Sequence, residues 1–579
     1  MPREQINCTN QSSSNCFFCI MKERDSSIGK TSIKEYLKGI SSLDDDDDDD
    51  LILVVSELWK IAMTRPDDED LPSLGIFQCM ADLIGKSIHD KEWLIKNQNI
   101  YIPYYAAHII GSYTMNEARF AALAVESGVV PPLMELLRGE MSWVEQRVAV
   151  RALGHLASYE ETFEAVAVFE EEVVELAMRL ASSCLEDVYN VFVGMPKRKR
   201  VDYHCNLLTR GVGGAEKENR KAEEWARQLQ CWSVHLLNCF AVKERSLGLI
   251  CKSQDFLKDL SEMWGGVLVN HTSTGGIELL RILCYAKIGR ANVSKSKHVI
   301  ENLCRISRSS DDLQYMGIDC LLLLLKDPDT RYEVIEVATS YLVDLIELKN
   351  IGNRKNVGEA ITRALVCDYN YQNSKKIKNL DHVVQRGLQE TWGLKIERRR
   401  REKVMTSEKL MGKRVISKLV KQQANRKFSA GEIEEAAAKY TECLEICPLR
   451  YRTERAAMYS NRARCHLLLN DPDRAISDAT RALCLSCPPN SHANSLWIRS
   501  QAYDIKEMAK ESLMDCLMFL NVCTKSKSTA DSFRVRIPYY AVRMIGKQME
   551  STWIFRDARL KAKESTEING KWREKSGKY

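Results

Sequence analysis

Lys421 and Asn425 stand four residues apart in the string Lys421-Gln-Gln-Ala-Asn425. On a helix that spacing puts an ammonium and an amide on one face, where both can address a single carboxylate. A second candidate is Cys16-Phe-Phe-Cys19 with Cys8 upstream, since thiolates two residues apart can bite one tetrahedral metal ion. A matching second pair is missing, so no metal site is expected, and an apolar docking segment or free thiols is the better reading. Cys484 and Cys487 share the spacing but are read as packing at a helix end. Two runs are strongly basic: Lys197, Arg198, Lys199 and Arg200 within Pro196–Val201, and Lys395–Lys403 with Arg398–Arg401 contiguous. The second reads as the exposed face of a connecting helix, and no aromatic residues interleave it to stack on bases. His155 falls on an apolar helix face and is expected to be a satisfied core histidine. Gly211-Val-Gly-Gly214 lacks the Lys-Ser/Thr of a phosphate loop, and Glu170–Glu172 and Glu432–Glu435 read as solvated faces. No nucleophile elbow, zinc-binding His pair or kinase set is present. The chain is therefore expected to be a non-enzyme without a cofactor.

The elements that must carry Lys421 and Asn425 are legible around them. Ala424, Asn425, Phe428, Gly431, Ala436, Tyr440, Leu444 and Pro448 fall at the offsets of a two-helix repeat of about 34 residues. Ala424 and Ala436 let antiparallel helices approach, Phe428 and Tyr440 fill the space between them, and Pro448 ends the second helix. Tyr459, Ala463, Leu467, Asp473, Ala475, Ala479, Ala482 and Pro488 repeat the pattern. A degenerate third unit runs from Leu496 to Leu520, with Ser512 in the place of the usual Ala.

This pattern resembles a tetratricopeptide repeat (TPR) domain. Lys421–Asn425 and Tyr459-Ser-Asn461-Arg462 further resemble the carboxylate-clamp TPR co-chaperones, which bind the C-terminal Glu-Glu-Val-Asp tail of heat-shock chaperones. The resemblance implies that Lys421, Asn425 and Asn461 hold the tail, with Arg499 as the cation of the third helix pair. The family's other cation would lie one turn before Arg499, where this chain has Ser495. Losing one charge-assisted hydrogen bond of about 1.5–3 kcal/mol weakens a tail about 10–100-fold.

Upstream, Ala124–Leu137 and Val144–Ala157 resemble an armadillo repeat. Gly128 supplies the turn, Pro131 and Pro132 start a helix, Leu133, Leu136 and Leu137 form its stripe, and Gly154 and Ala157 let the third helix pack closely. Degenerate copies are expected at Phe163–Ser182, Leu229–Trp264, Gly276–Ile288, and Leu313–Leu325 with Val334–Ile346. Ile102-Pro-Tyr-Tyr-Ala-Ala-His-Ile-Ile-Gly111 has a near copy at Ile537–Gly546, which predicts equivalent helices. Pro196–Val201 resembles a short nuclear-localisation signal, which must be exposed and flexible to be read.

Composition agrees with a helical scaffold. Of 579 residues, 45% are hydrophobic and 28% charged, with 84 Lys and Arg against 79 Asp and Glu. A net charge of +5 argues neither for nucleic acid nor for acidic lipid. The 20 cysteines sit in apolar helical segments with no secretory signal ahead of them. They are read as reduced thiols in the cytoplasm or nucleus.

The expected fold is all-α, a right-handed α-solenoid of armadillo-like repeats followed by a TPR-like domain. Residues 1–50, ending in Asp44–Asp50, are expected to be a disordered acidic segment. Residues 51–390 form the armadillo-like part, 391–414 a basic connecting helix, 415–524 the TPR-like domain, and 525–579 a C-terminal helix and basic tail. The whole resembles the plant family of ARM-repeat/TPR-like proteins, and, with the order reversed, the myosin-chaperone family. The resemblance implies an adaptor or co-chaperone whose TPR groove holds a peptide or C-terminal carboxylate while the armadillo groove holds a second protein. A nuclear scaffold without chaperone binding, and a zinc- or redox-active N-terminal module on a helical scaffold, are the alternatives. No membrane or nucleic-acid partner is expected.

Overall fold

A computed structural model describes residues 17–21, 23, 26–40, 51–96, 98–196, 199–263, 275–311, 313–367, 380–525 and 538–557. Among these the regular structure is helical, with an isolated β-bridge between Ile351 and Arg354 and no strand. The chain divides into two compact units, one built from residues up to Ile250 and the other from Cys251 to Arg556. The stretch 51–390 expected to be armadillo-like is thus divided, and its part from Cys251 on belongs to the same unit as the TPR-like helices.

In the first unit the helices used below are α1 (Ser26–Gly39), α2 (Leu51–Thr64), α3 (Ile76–His89), α4 (Ile102–Tyr113), α5 (Val130–Arg138), α6 (Trp143–Ser158), α7 (Glu170–Val188) and α8 (Gly214–Val242). The N-terminal segment departs from the expected disorder. Phe17–Ile20 forms a helical turn packed on α1, because Phe17, Leu37 and Ile40 bury their apolar side chains. The armadillo repeat follows its residues. Gly128 takes φ +73°, a conformation that a side chain would strain. Pro131 and Pro132 open α5, where a missing N–H costs nothing, and Leu133, Leu136 and Leu137 are fully buried. Ser142 caps α6 by accepting from the amide of Val144 at 3.2 Å. α6 lies between α4 and α8. Close crossings allow this, as a Cβ on Gly111 would meet Ala152 at 3.5 Å and one on Gly154 would meet His235 at 3.0 Å.

The second unit contains α9 (Lys297–Ser307), α10 (Gln314–Lys326), α11 (Arg331–Leu342) and α12 (His382–Trp392), followed by α13 (Ser407–Ser429), α14 (Ile433–Ile446), α15 (Arg452–Leu468), α16 (Pro472–Leu485), α17 (Ala493–Ile505), α18 (Ala509–Lys525) and α19 (Tyr539–Ser551). α13 to α18 form the three expected hairpins. Ala424, Ala436, Tyr440 and Cys465 share one apolar core, and Ala463, Ala479 and Ile498 the next. Ser512 is fully buried and donates to the carbonyl of Ser500 at 2.9 Å, so the irregular third unit is polar but paired.

The first TPR helix begins at Ser407, capped by Thr406, eight residues before the expected boundary at 415. Along the basic connector Arg399, Arg400, Arg401 and Lys403 are exposed as expected, while Arg398 is an anchor. Arg398 donates to the carbonyls of Leu444 and Cys447 at the end of α14, where a cation complements the exposed carbonyls of a helix C-terminus. Glu402 accepts from the amide of Leu449 at 2.7 Å.

The two Ile-Pro-Tyr-Tyr copies differ in burial. Tyr104 on α4 is 5% exposed, whereas Tyr539 on α19 is 81% exposed. α4 has helices on both flanks, while α19 packs on α18 and leaves its other side to solvent. Ile537 itself lies outside the described residues.

Candidate functional site

The TPR face is positioned by three first-of-pair helices. On α13, Lys421, Asn425 and Phe428 share one side; Lys421 is half-buried and Asn425 exposed. Tyr440, reaching in from α14, ties this side to α15. Its hydroxyl donates to Asn425 Oδ1 at 2.7 Å and accepts from Asn461 Nδ2 at 3.3 Å. Burial raises the Tyr440 phenol above its ordinary value, so it remains a donor. The guanidinium of Arg464 lies 5.0 Å from the centre of the Phe428 ring, one turn beyond Asn461. Between α15 and α17 opens a groove of about 460 Å³, lined by Ser460, Asn461, Arg464, Asn494, Trp497 and Gln501 among others. Lys421 makes no ion pair among the described residues. The face thus offers amides, two cations and an indole to an extended polar chain.

Arg499 is not on this face. It is 1% exposed and donates with both edges to Asp515, at 2.7 Å each, and to Thr480 Oγ1 at 3.0 Å. The reason is register. Arg462 holds Asp478 in the same two-pronged way and donates to Thr441 Oγ1 at 2.8 Å. Arg499 is therefore the counterpart of Arg462, and the counterpart of Asn461 one repeat on is Ile498, with Asn494 a turn earlier. Ser495 is fully buried. The third repeat brings no cation to the groove at the positions inferred from sequence. Sequence reasoning missed Arg464, Asn494, Trp497 and Gln501. The signal was present in the two Arg–Asp pairs, each 16 residues apart, which fix the register of the repeat.

The TPR-like helices are joined by buried ion pairs to the segment after α11. Asp344, 2% exposed, receives Arg308, Ser477 at 2.6 Å and Arg481 at 2.8 Å. Arg455, 1% exposed, meets both oxygens of Glu347 at 2.6 and 2.5 Å. Ser310 donates to Asp515 and Asn490 to Gln314, each at 2.8 Å. These bonds hold Arg455, Arg462, Arg481 and Arg499 away from the groove, which leaves Lys421 and Arg464 as its cations.

Of the basic run, Lys197 and Arg198 lie outside the described residues, and Lys199 is exposed. Arg200 departs from the exposure expected of a signal. Its side chain is 8% exposed, paired with Glu218 at 2.8 Å and bonded to Asn219 Oδ1 at 2.8 Å. A buried carboxylate and amide next to Phe192 hold it more firmly than solvent would. His155 is in the core as expected, but its Nε2 has no partner; its ring packs edge-to-face with Trp232 at 5.0 Å between centroids. Cys8 and Cys16 lie outside the described residues, among which no cluster of three metal-ligating side chains occurs. The described cysteines are free thiols, most of them buried. No single described helix is long and apolar enough to cross a membrane.

Residues 7–252 match the family described as Plant ARM repeat. The chain is also 31% identical over 165 residues to the DnaJ homolog subfamily C member 7 homolog of Schizosaccharomyces pombe, covering 28% of this chain and 30% of that one. It is 27% identical over 115 residues to protein unc-45 homolog B of Danio rerio, covering 20% and 12%. To tetratricopeptide repeat protein 36 of Caenorhabditis briggsae it is 30% identical over 78 residues, covering 14% and 41%. The chain spans less than half the length of each of these relatives. With three TPR-like hairpins behind an armadillo-like first unit, the chain is an ARM- and TPR-like helical repeat protein.

Proposed function

We propose that this protein is a protein-interaction scaffold whose TPR face grips an extended peptide, with a carboxylate of that peptide held by Lys421, Asn425, Asn461 and Arg464. The observation that carries the reading is the Asn425–Tyr440–Asn461 bridge beside a cation on each flanking helix. Likeness to a DnaJ homologue supports a chaperone-linked partner. With Asn494 and Ile498 in the third repeat, the far end of the groove lacks both cations of a full carboxylate clamp. It therefore leans on amide contacts to the peptide backbone and on Trp497. Binding is measured by calorimetry on the full chain with a peptide ending in Glu-Glu-Val-Asp, as free acid and as C-terminal amide. The reading expects the free acid to bind about 10-fold tighter or more, and Lys421→Ala to remove most of that difference. Equal affinities for acid and amide, unchanged by Lys421→Ala, would overturn the carboxylate part. No heat with either peptide would overturn the groove reading for this tail.

A further inference from the structure

The first unit carries a second site, on α4, α6 and α8, unrelated to the TPR face. Arg147 and Arg151 stand one turn apart on α6. Arg147 is 6% exposed and lies over Trp225 of α8, its guanidinium carbon 4.0 Å from the ring centre. Tyr104 of α4 stacks on the same indole, 6.0 Å between centroids and 12° between planes. Arg151, partly exposed, reaches over Trp232 at 5.7 Å.

Among the described residues neither arginine has an ion pair. Arg147 donates to Gln228 Oε1 at 2.7 Å and to the Tyr104 hydroxyl at 3.4 Å. Arg151 has only the sulfur of Met115 at 3.6 Å. The Nε atoms of both are buried without a partner. Glu224 and Glu145 act on Arg147 through space without bonding to it, Glu224 being paired with Lys221 at 2.8 Å and Glu145 bonded by Ser142 and Tyr203. Burial and the neighbouring Arg147 push the Arg151 guanidinium down to about 10, the signature of a cation that lacks a counter-ion.

A desolvated charge without a partner is strongly unfavourable, and folds retain one where a ligand supplies the missing charge. The aromatic faces decide what kind of anion fits. Trp225 is only 9% exposed, so no open indole is left there for a nucleobase to stack on. A carboxylate needs only the guanidinium edge, and the half-buried indole of Trp232 suits an apolar neighbour in the same chain.

We propose that this face of the first unit binds an acidic peptide segment, with one carboxylate seated on Arg151 in the field of Arg147 and an adjacent apolar side chain against Trp232. The test uses the full-length chain carrying Lys421→Ala and Arg464→Ala, so that both cations of the TPR face are removed. The probes are a fluorescein-labelled decapeptide alternating Glu and Leu, its Lys-and-Leu counterpart, and a ten-nucleotide single-stranded RNA, all followed by anisotropy. The Glu peptide is expected to bind and the Lys peptide not. Arg151→Gln is expected to weaken the Glu peptide at least 10-fold while leaving the chain as heat-stable as before or more so, and Arg151→Lys to retain most of the affinity. Tighter binding of RNA than of the Glu peptide, unchanged affinity in Arg151→Gln, or no binding of the Glu peptide at millimolar concentration would each overturn the proposal.

Discussion

Single residues in this protein are decided by what surrounds them more than by their type. Arg462 and Arg499 sit at equivalent places in successive repeats, and each commits its guanidinium to an aspartate of the following helix. Arg464, two residues from Arg462, points to the opposite side and lines the groove. From sequence, Lys421 and Asn425 were legible because their spacing is a property of one helix. The third-repeat cation was not, since it depends on the register between helices across a longer connector. Glu145 shows the same dependence in its protonation. Burial raises its carboxyl to about 7 from an ordinary 4.5, against hydrogen bonds from Ser142 that lower it. The unfolded chain ionises this group near 4.5 and the folded chain near 7, so its contribution to stability is full below pH 4.5 and is lost as pH rises through 7. The loss is about 3 kcal/mol at the upper end. Glu145→Gln is therefore expected to stabilise the chain against urea at pH 8 by an amount of that order and to change little at pH 4. A pH-independent effect would show that the carboxyl is not shifted.

At the scale of elements, the helices and their small-residue crossings were readable because they rest on local rules. Gly128, Pro131 and Pro132 act within one turn, and Gly154 and Ala424 mark the close approaches that the sequence pattern anticipates. What was hidden is how the TPR-like helices meet the segment that follows α11, because that interface is polar and its partners are about a hundred residues apart in sequence, as in Arg455 with Glu347. Removing one member of a buried pair leaves the other charge uncompensated and costs about 3–5 kcal/mol, whereas replacing both by apolar residues is close to neutral. Arg455→Ala is expected to destabilise the second unit by that amount in urea unfolding, and Arg455→Met with Glu347→Leu to recover most of the loss. A double variant as unstable as the single one would mean that the segment and the TPR-like helices are not coupled through this pair.

The whole molecule was readable as an all-α repeat protein, since apolar periodicity and Gly and Pro placement persist along the chain. Its division into units was not, because helical apolar periodicity continues past Ile250, whereas the compact unit changes there and the match to the Plant ARM repeat family ends at 252. The second unit therefore combines the helices from Cys251 onward with the TPR-like hairpins into one folded body, and the groove lies on the TPR-like part of that body. The basic run at Lys197–Arg200 shows the limit of reading charge without packing, because Arg200 is a structural anchor. The central claim is that Arg464, and not Arg499, is the cation of the peptide-binding face. Calorimetry with the Glu-Glu-Val-Asp free-acid peptide on Arg464→Ala and Arg499→Lys tests it most directly. The account predicts that Arg464→Ala loses about 10-fold or more in affinity with its heat stability unchanged, while Arg499→Lys is less heat-stable but binds like the parent wherever it is folded. Parental affinity in Arg464→Ala together with lost binding in folded Arg499→Lys would contradict it.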